Sequence, residues 1–381
     1  MSKKLGLALV IMSFSRAAPV LAASPSMPSM TGPLAGNPAP YAFDTKPFGK
    51  IYVTGAATAL ALSQNHPASG DQDSLGDISN AQLFVQNTSG PVQFFIQGGT
   101  YSTPALGTAY LRADKTADKT YGFLPQGYIK LAPTDSFSIQ AGKLPTLFGA
   151  EYTFTFENMN IERGLLWNQE NAVNRGIQAN YSQGPVTLSL AWSDGFYSGR
   201  YNWVSGAAAY TIDGANLVSI IAGGNLGETA HTSFVTPLAQ NNSSIYNVIY
   251  THTSGAWTFN PYLQYTHVPE NNSIGIAHAA STYGAALSAK YNVDQNFSIA
   301  GRAEYIGSTG SVADGAPNLL YGQGSKAWSL TVTPTYQYKS CFGRVDASYV
   351  RASDTVAGSA FGSAGNDASQ SRIFLETGVL F

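Results

Sequence analysis

Trp328-Ser-Leu-Thr-Val-Thr-Pro-Thr-Tyr-Gln-Tyr338 decides the fold. Trp328, Leu330, Val332, Tyr336 and Tyr338 alternate with Ser329, Thr331, Thr333, Thr335 and Gln337. Successive side chains of a strand point to opposite faces, so the segment has one apolar and one polar face. The same period of two places Val186, Leu188, Leu190 and Trp192 against Thr187, Ser189 and Ala191. It places Trp257, Phe259, Leu263 and Tyr265 against Thr258, Asn260 and Gln264.

From Gly49 onward sixteen such segments follow: 49–63, 78–86, 91–100, 121–132, 135–142, 174–183, 185–193, 201–212, 215–223, 243–252, 256–267, 281–292, 296–306, 326–339, 342–351 and 371–381. Their connections carry as much information. Ser89-Gly90-Pro91, Pro133-Thr134-Asp135, Gln183-Gly184-Pro185, Asp213-Gly214, Ser254-Gly255, Asp294-Gln295 and Ser340-Cys341 have turn chemistry. They alternate with long connections at 64–77, 101–120, 143–173, 194–200, 224–242, 268–280, 307–325 and 352–370. Outer-membrane barrels have an even strand count, short periplasmic turns and long external loops. The short–long order therefore places both termini in the periplasm. The expected fold is all-β: a transmembrane antiparallel up-and-down β-barrel of about sixteen strands, with an infolded constriction loop.

The final strand, Arg372-Ile-Phe-Leu-Glu-Thr-Gly-Val-Leu-Phe381, puts Ile373, Leu375, Thr377, Val379 and Phe381 on one face. It resembles the terminal strand by which the barrel-assembly machinery recognises its substrates. Tyr101, Trp192, Tyr210, Tyr265, Tyr291 and Tyr338 stand at strand ends, where interfacial aromatic girdles belong.

Composition agrees. Charged residues are 11% of the 381, roughly half the usual share, while aromatics reach 12%. Lys3 and Lys4 precede an apolar run from Leu5 to Phe14, and Val20-Leu21-Ala22-Ala23 offers a cleavage site. Residues 1–23 are thus a secretory signal peptide, with Arg16 slightly atypical. Its removal takes the formal charge from −2 to −5, opposite to a nucleic-acid footprint. No later stretch approaches the ~18–20 apolar residues of a membrane helix, so strands must do the spanning. Residues 24–48, with six prolines at 25, 28, 33, 38, 40 and 47, read as an extended periplasmic tether without a hydrogen-bonded ladder. The barrel is 49–381. Cys341 is the single cysteine and excludes an internal disulfide.

A soluble sandwich also alternates, but charges distinguish the two. Lys130, Lys290, Arg302, Glu304, Arg344, Asp346, Arg372 and Glu376 all fall on the polar phase of their strands. Facing hydrocarbon, each would cost about 2–4 kcal/mol near the midplane. Lining water, they form a pore wall, and sixteen strands leave room for a channel.

The rhythm stops at 143–173, the third and longest loop. Leu144, Leu147, Phe148, Phe154, Phe156, Ile161, Leu165, Leu166 and Trp167 are too many apolar residues for a solvated loop, and need a wall to pack on. Glu151, Glu157, Glu162, Arg163 and Glu170 lie among them. The phrase from Ala141-Gly-Lys-Leu-Pro-Thr-Leu-Phe-Gly-Ala-Glu151 through Asn160-Ile-Glu-Arg-Gly-Leu-Leu-Trp167 resembles the OmpL-like, porin-2 type β-barrel porins. The resemblance covers about Gly49 to Phe381. It implies an outer-membrane pore of a Gram-negative cell, no catalytic residues and no cofactor. General porins of this kind fold the third loop into the lumen, and many are trimers. A homotrimer among outer-membrane lipid and lipopolysaccharide is the corresponding expectation, although no strand face stands out as a subunit interface.

Two roles compete for the loop charges. Glu151, Glu157, Glu162 and Glu170 could oppose Lys130, Arg302, Arg344 and Arg372 across the pore, creating a transverse field that biases selectivity. Equally, Glu162 and Arg163 could pair with each other or the wall and simply hold the loop. Asp71, Asp73 and Asp77 are loosely spaced like a calcium loop but lack its Gly and terminal Glu. The five histidines have no metal-binding pair, and no nucleophile elbow or phosphate loop occurs. A passive porin is the leading function. An outer-membrane barrel hydrolase with a rim site using His231 or His267 is the alternative, and a secreted adhesin the third class.

Overall fold

The computed structural model describes residues 32–46 and 48–381; the expected leader and the start of the tether lie outside them. Strand β1 is Tyr41–Thr45, β2 Gly49–Gln64, β3 Ser74–Asn87, β4 Val92–Tyr101, β5 Gln126–Leu131 and β6 Phe137–Pro145. β7 is Val173–Gln183, β8 Val186–Ser193, β9 Trp203–Thr211, β10 Asn216–Asn225 and β11 Ser244–Ser254. β12 is Trp257–Val268, β13 Ala280–Asn292, β14 Phe297–Ser308, β15 Lys326–Tyr338, β16 Cys341–Ser353 and β17 Ser369–Leu380. From β2 to β17 each strand pairs antiparallel with the next, and β17 closes on β2 from Arg372↔Gln64 to Leu380↔Ala56. The result is a closed barrel of sixteen strands plus β1. Closure matters because no open edge can exist in hydrocarbon.

The expected strands are present with shifted ends. β5 starts five residues late, after Gly122 in a left-handed turn and Pro125, which has no N–H to give a ladder. β3 starts early and carries a bulge: its register against β2 jumps between Thr58 and Leu60. The extra residue turns Ser79 and Asn80 inward together. Within the proline-rich segment, Tyr41-Ala-Phe-Asp-Thr45 does build a ladder, pairing with Val53 to Gly49 on β2. These five residues contain no proline, so every N–H is available.

The outer surface is apolar. Leu263, Leu330, Ile373 and Leu375 are exposed, as are Trp192, Tyr210, Tyr265, Tyr291 and Tyr338 at strand ends. Tyr101 is the exception to the girdle expectation. It shares the phase of Phe95 and Gln97, is fully buried inside, and meets Phe154 edge-on at 5.2 Å. Strand-end position alone does not fix the face; phase does.

Two large buried clusters fill much of the interior, one of them joining Phe148, Leu165 and Leu166 to Trp203, Ile221, Ile245, Ile249 and Ile306. Phe84, Phe95, Tyr128, Phe154, Phe156, Phe342 and Leu380 belong to the other, at the end carrying the short turns. At this end the seam between β17 and β2 runs on to Phe381. Gly55 and Phe381 exchange backbone hydrogen bonds of 2.7 and 2.9 Å. A Cβ on Gly55 would lie 2.4 Å from the Phe381 ring and 2.8 Å from the Gln82 carbonyl. Gly55→Val should therefore displace the last residue of the closing strand and lower the fraction of folded, fast-migrating barrel in unheated detergent gels. Gly343→Val, where a Cβ meets nothing within 4 Å, should leave that fraction unchanged.

Candidate functional site

The inner wall from β14 to β17 carries its charges in register. Arg344 lies opposite Glu376, and Arg302 and Glu304 are two residues apart on β14. Arg302, Glu304, Arg344, Asp346, Arg372 and Glu376 are all buried. Full burial of six charges is tolerable only if they are paired and hydrogen-bonded. Their partners come from each other and from residues 143–172.

Each arginine works in two directions. Arg344 donates from Nε and Nη2 to Glu376 at 2.9 and 2.6 Å, and from its two Nη atoms to the carbonyls of Asn158 and Thr155 at 2.9 and 2.7 Å. Arg302 pairs with Glu304 at 3.1 Å and with loop Glu151, and donates to the Glu162 carbonyl at 2.8 Å. Arg372 pairs with loop Glu162 at 3.0 Å and donates to the carbonyls of Ala105 and Thr108. The wall carboxylates take what the arginines cannot, the loop N–H groups. Asp346 accepts from Ile161 at 2.7 Å, and Glu304 from Leu165 at 3.0 Å. Glu376 accepts the Thr155 hydroxyl at 2.6 Å and that of bulge residue Ser79 at 2.9 Å.

The loop charges do not stand free. Glu151 also accepts from Gly164 N at 2.6 Å. Burial pushes its carboxyl upward against the lowering effect of Arg302. Glu157 accepts from Phe154 N at 3.1 Å, and burial raises its pKa to about 7. Glu162 also takes the Ser348 hydroxyl at 2.6 Å. Arg163 does not pair with Glu162. It donates to the Thr153 carbonyl at 2.9 Å and lies 5.6 Å from the Trp167 ring, with its pKa lowered to about 10 by burial. Glu170 reaches the opposite wall, where Tyr262 and Gln264 donate to it at 2.5 and 2.8 Å. Burial raises its carboxyl to about 8. Lys130 and Lys290 are half-buried on the inner phase, and Lys290 donates to the Pro33 carbonyl at 3.2 Å. Among the described residues neither has a carboxylate within ion-pair distance.

The second long connection also enters the assembly, which alternation gave no reason to expect. Arg163 N donates to Pro104 O and Leu106 N to Arg163 O, at 3.0 and 2.9 Å, in a short parallel bridge between the two loops. Its apolar Leu106 and Tyr110, both buried, were the available signal. Asp71 and Asp77 serve this loop: Asp71 accepts from Tyr110 N, and Asp77 from the Tyr110 hydroxyl and Ala113 N, at 2.9–3.0 Å. Among the described residues no group of three His, Cys, Asp or Glu could hold a metal ion. His231 is exposed, and His267 meets the Ser281 hydroxyl at 3.0 Å with no carboxylate in reach.

The other half of the wall is neutral. Thr187, Ser189, Ala207, Ala209, Ser219 and Asn260 from β8, β9, β10 and β12, with Ile221 and Ile249, line an open cleft of about 80 Å³, whose far side is loop residues 146–152. The inner wall thus divides into a charged half that holds loop backbone and an uncharged half where Phe148 packs with Trp203, Ile221, Ile245 and Ile249 beside the cleft.

A family model described as "Putative beta-barrel porin-2, OmpL-like" matches residues 50–381. The chain belongs to this family. No curated protein matches it significantly. This OmpL-like barrel is similar in fold to outer-membrane-expressed OmpT of Vibrio cholerae, at a TM-score of 0.58 and 12% identity over 88% of this chain and 99% of that one. It is similar also to Salmonella typhi OmpF solved in complex with daunomycin, at 0.55 and 13% over 90% and 100%. OmpT in its trimer form gives 0.55 and 12% over 87% and 99%. The OmpL-like barrel is a bacterial outer-membrane protein, and its short-turn end therefore faces the periplasm.

Two outcomes are expected. Glu376→Leu leaves Arg344 buried without its counter-ion and should destabilise this OmpL-like barrel by about 3–5 kcal/mol, read as a lower urea midpoint. Adding Arg344→Met should recover much of that stability. Glu170, raised from 4.5 to about 8, keeps its proton in the folded loop where the unfolded chain releases it. Its contribution is complete below about 4.5 and is lost as pH rises through about 8. The thermal midpoint should fall across that window, and Glu170→Gln should flatten the fall.

Proposed function

We propose that the chain is a porin: a water-filled channel for passive diffusion of small hydrophilic solutes and ions, in which residues 143–173 form the constriction. The observation carrying this reading is the division of the inner wall. Beside the packed cluster of Phe148, Trp203, Ile221 and Ile249, Thr187, Ser189, Ser219 and Asn260 of β8, β10 and β12 turn hydroxyl and carboxamide groups toward an open cleft between this wall and loop residues 146–152. The clamp on β14–β17 fixes the loop backbone, while Glu170 and Gly149 N tie the loop to β12 and β11 beside that cleft.

The charge arrangement refines the expected selectivity. The loop glutamates are engaged by wall arginines, backbone N–H groups or wall hydroxyls, so they supply little field to the cleft. Of the wall cations, Lys130 and Lys290, toward the periplasmic end, have no carboxylate within ion-pair distance among the described residues. Rings or clusters of one sign bias ion passage, and here the residual bias favours anions. For the alternative hydrolase, His267 has the Ser281 hydroxyl at 3.0 Å but no carboxylate within ion-pair distance among the described residues.

Planar-bilayer recording tests this. The purified barrel should give stepwise currents with a weakly anion-selective reversal potential in a salt gradient. Lys130→Gln with Lys290→Gln should move that potential toward neutrality, whereas Glu157→Gln should not change it. Absence of any current across the bilayer would overturn the channel.

A further inference from the structure

The segment preceding β1 does not hang free of the barrel. Gly32 packs so closely beneath the constriction segment that a Cβ there would lie 2.5 Å from the Glu157 Cα and 2.8 Å from the Phe156 carbonyl. The Pro33 carbonyl accepts from Lys290 on β13 at 3.2 Å. Leu34 is only 6% exposed and joins the aromatic cluster that includes Phe84, Phe156, Phe342 and Leu380. Ala35 exchanges two hydrogen bonds with the Gln337 side chain of β15, N to Oε1 at 2.8 Å and Nε2 to O at 2.7 Å. Lys290, Gln337, Phe342 and Leu380 all lie at the periplasmic ends of their strands. Residues 32–35 therefore cross the periplasmic mouth of the lumen, under the constriction, and return outside through 36–40 to β1.

We propose that residues 32–38 are a removable stopper that narrows the periplasmic mouth. This rests on the channel reading and adds its regulation. The chemistry of the segment favours docking and release as a unit. Pro33, Pro38 and Pro40 lack the N–H groups needed to join the sheet, so the segment cannot become another fixed strand. Proline also stiffens it in an extended form, which lowers the entropy cost of seating. Its attachments include a glycine close under Glu157, a leucine in an apolar seat, a glutamine side chain imitating a strand edge, and a lysine on a carbonyl. The barrel's own hydrogen bonds do not involve it, and β1 on β2 keeps it tethered when it leaves.

The test compares single-channel records of the full barrel with two variants, Leu34→Asp and deletion of 33–38. Leu34→Asp puts a charge into the apolar seat without touching a strand. The proposal expects frequent closed intervals in the unaltered protein, and a conductance shifted upward with fewer closures in both variants. A second measurement is independent of current. In a Cys341→Ser background, Leu34→Cys should react slowly with a charged maleimide, and adding Gln337→Ala should accelerate that reaction. Equal, non-zero conductance in all three proteins would overturn the stopper while leaving the channel intact. Fast labelling of Cys at position 34 whatever residue occupies 337 would overturn it as well. No current from any form would overturn both.

Discussion

Everything inside this barrel depends on three arginines that each satisfy two masters. Arg302, Arg344 and Arg372 sit on strands, so the sheet fixes their positions. Their guanidinium forks bind a carboxylate with some donors and loop carbonyls with the rest. A lysine could not do this, because its three donors radiate from one nitrogen and form no rigid planar fork. Such buried pairs add little net stability compared with apolar packing. What they supply is position: the donors and acceptors are spaced to match one path of the loop backbone, and other paths leave buried charges unpartnered.

That clamp explains why the two halves of the wall differ. Where strands β14–β17 hold the loop, their inner faces carry charge and their surroundings are packed by Phe154, Phe156, Ile161, Leu165 and Leu166, all buried. Where β8–β12 face the cleft, their inner side chains are uncharged, from Ser189 and Ser219 to the buried Ile221 and Ile249. The charges that alternation placed on the wet face are therefore on the inner face, but most of them meet protein and not water. A field across open solvent and a clamp on backbone need the same residue types on the same phase, and only the clamp consumes the arginines' directional donors.

The bulge in β3 and the bridge between the second and third loops serve the same end. The bulge turns Ser79 and Asn80 inward together, giving Glu376 a hydroxyl and Thr155 an amide at 2.9 and 2.8 Å. The bridge gives the buried backbone around Arg163 partners that no side chain offers. Buried N–H and C=O groups must be paired, and two irregular segments crossing a barrel have no ladder of their own.

The sequence by itself determined the barrel. A period of two is a local property, strict alternation of short and long connections orders the strands, and even the phase of Arg302, Arg344 and Arg372 can be counted from their neighbours. It also determined that 143–173 must pack on something, from its apolar content. Only the tertiary structure decided whether each loop charge faces a pore or a partner, that Tyr101 turns inward, that a second loop joins the first, and that Leu34 seats in the periplasmic mouth. These are contacts between segments up to about three hundred residues apart, such as Ala35 with Gln337. Alternation assigns a side chain to a face but carries no information about what stands across the lumen from it. That is set when the barrel closes and a finite interior must satisfy every buried charge and backbone group at once.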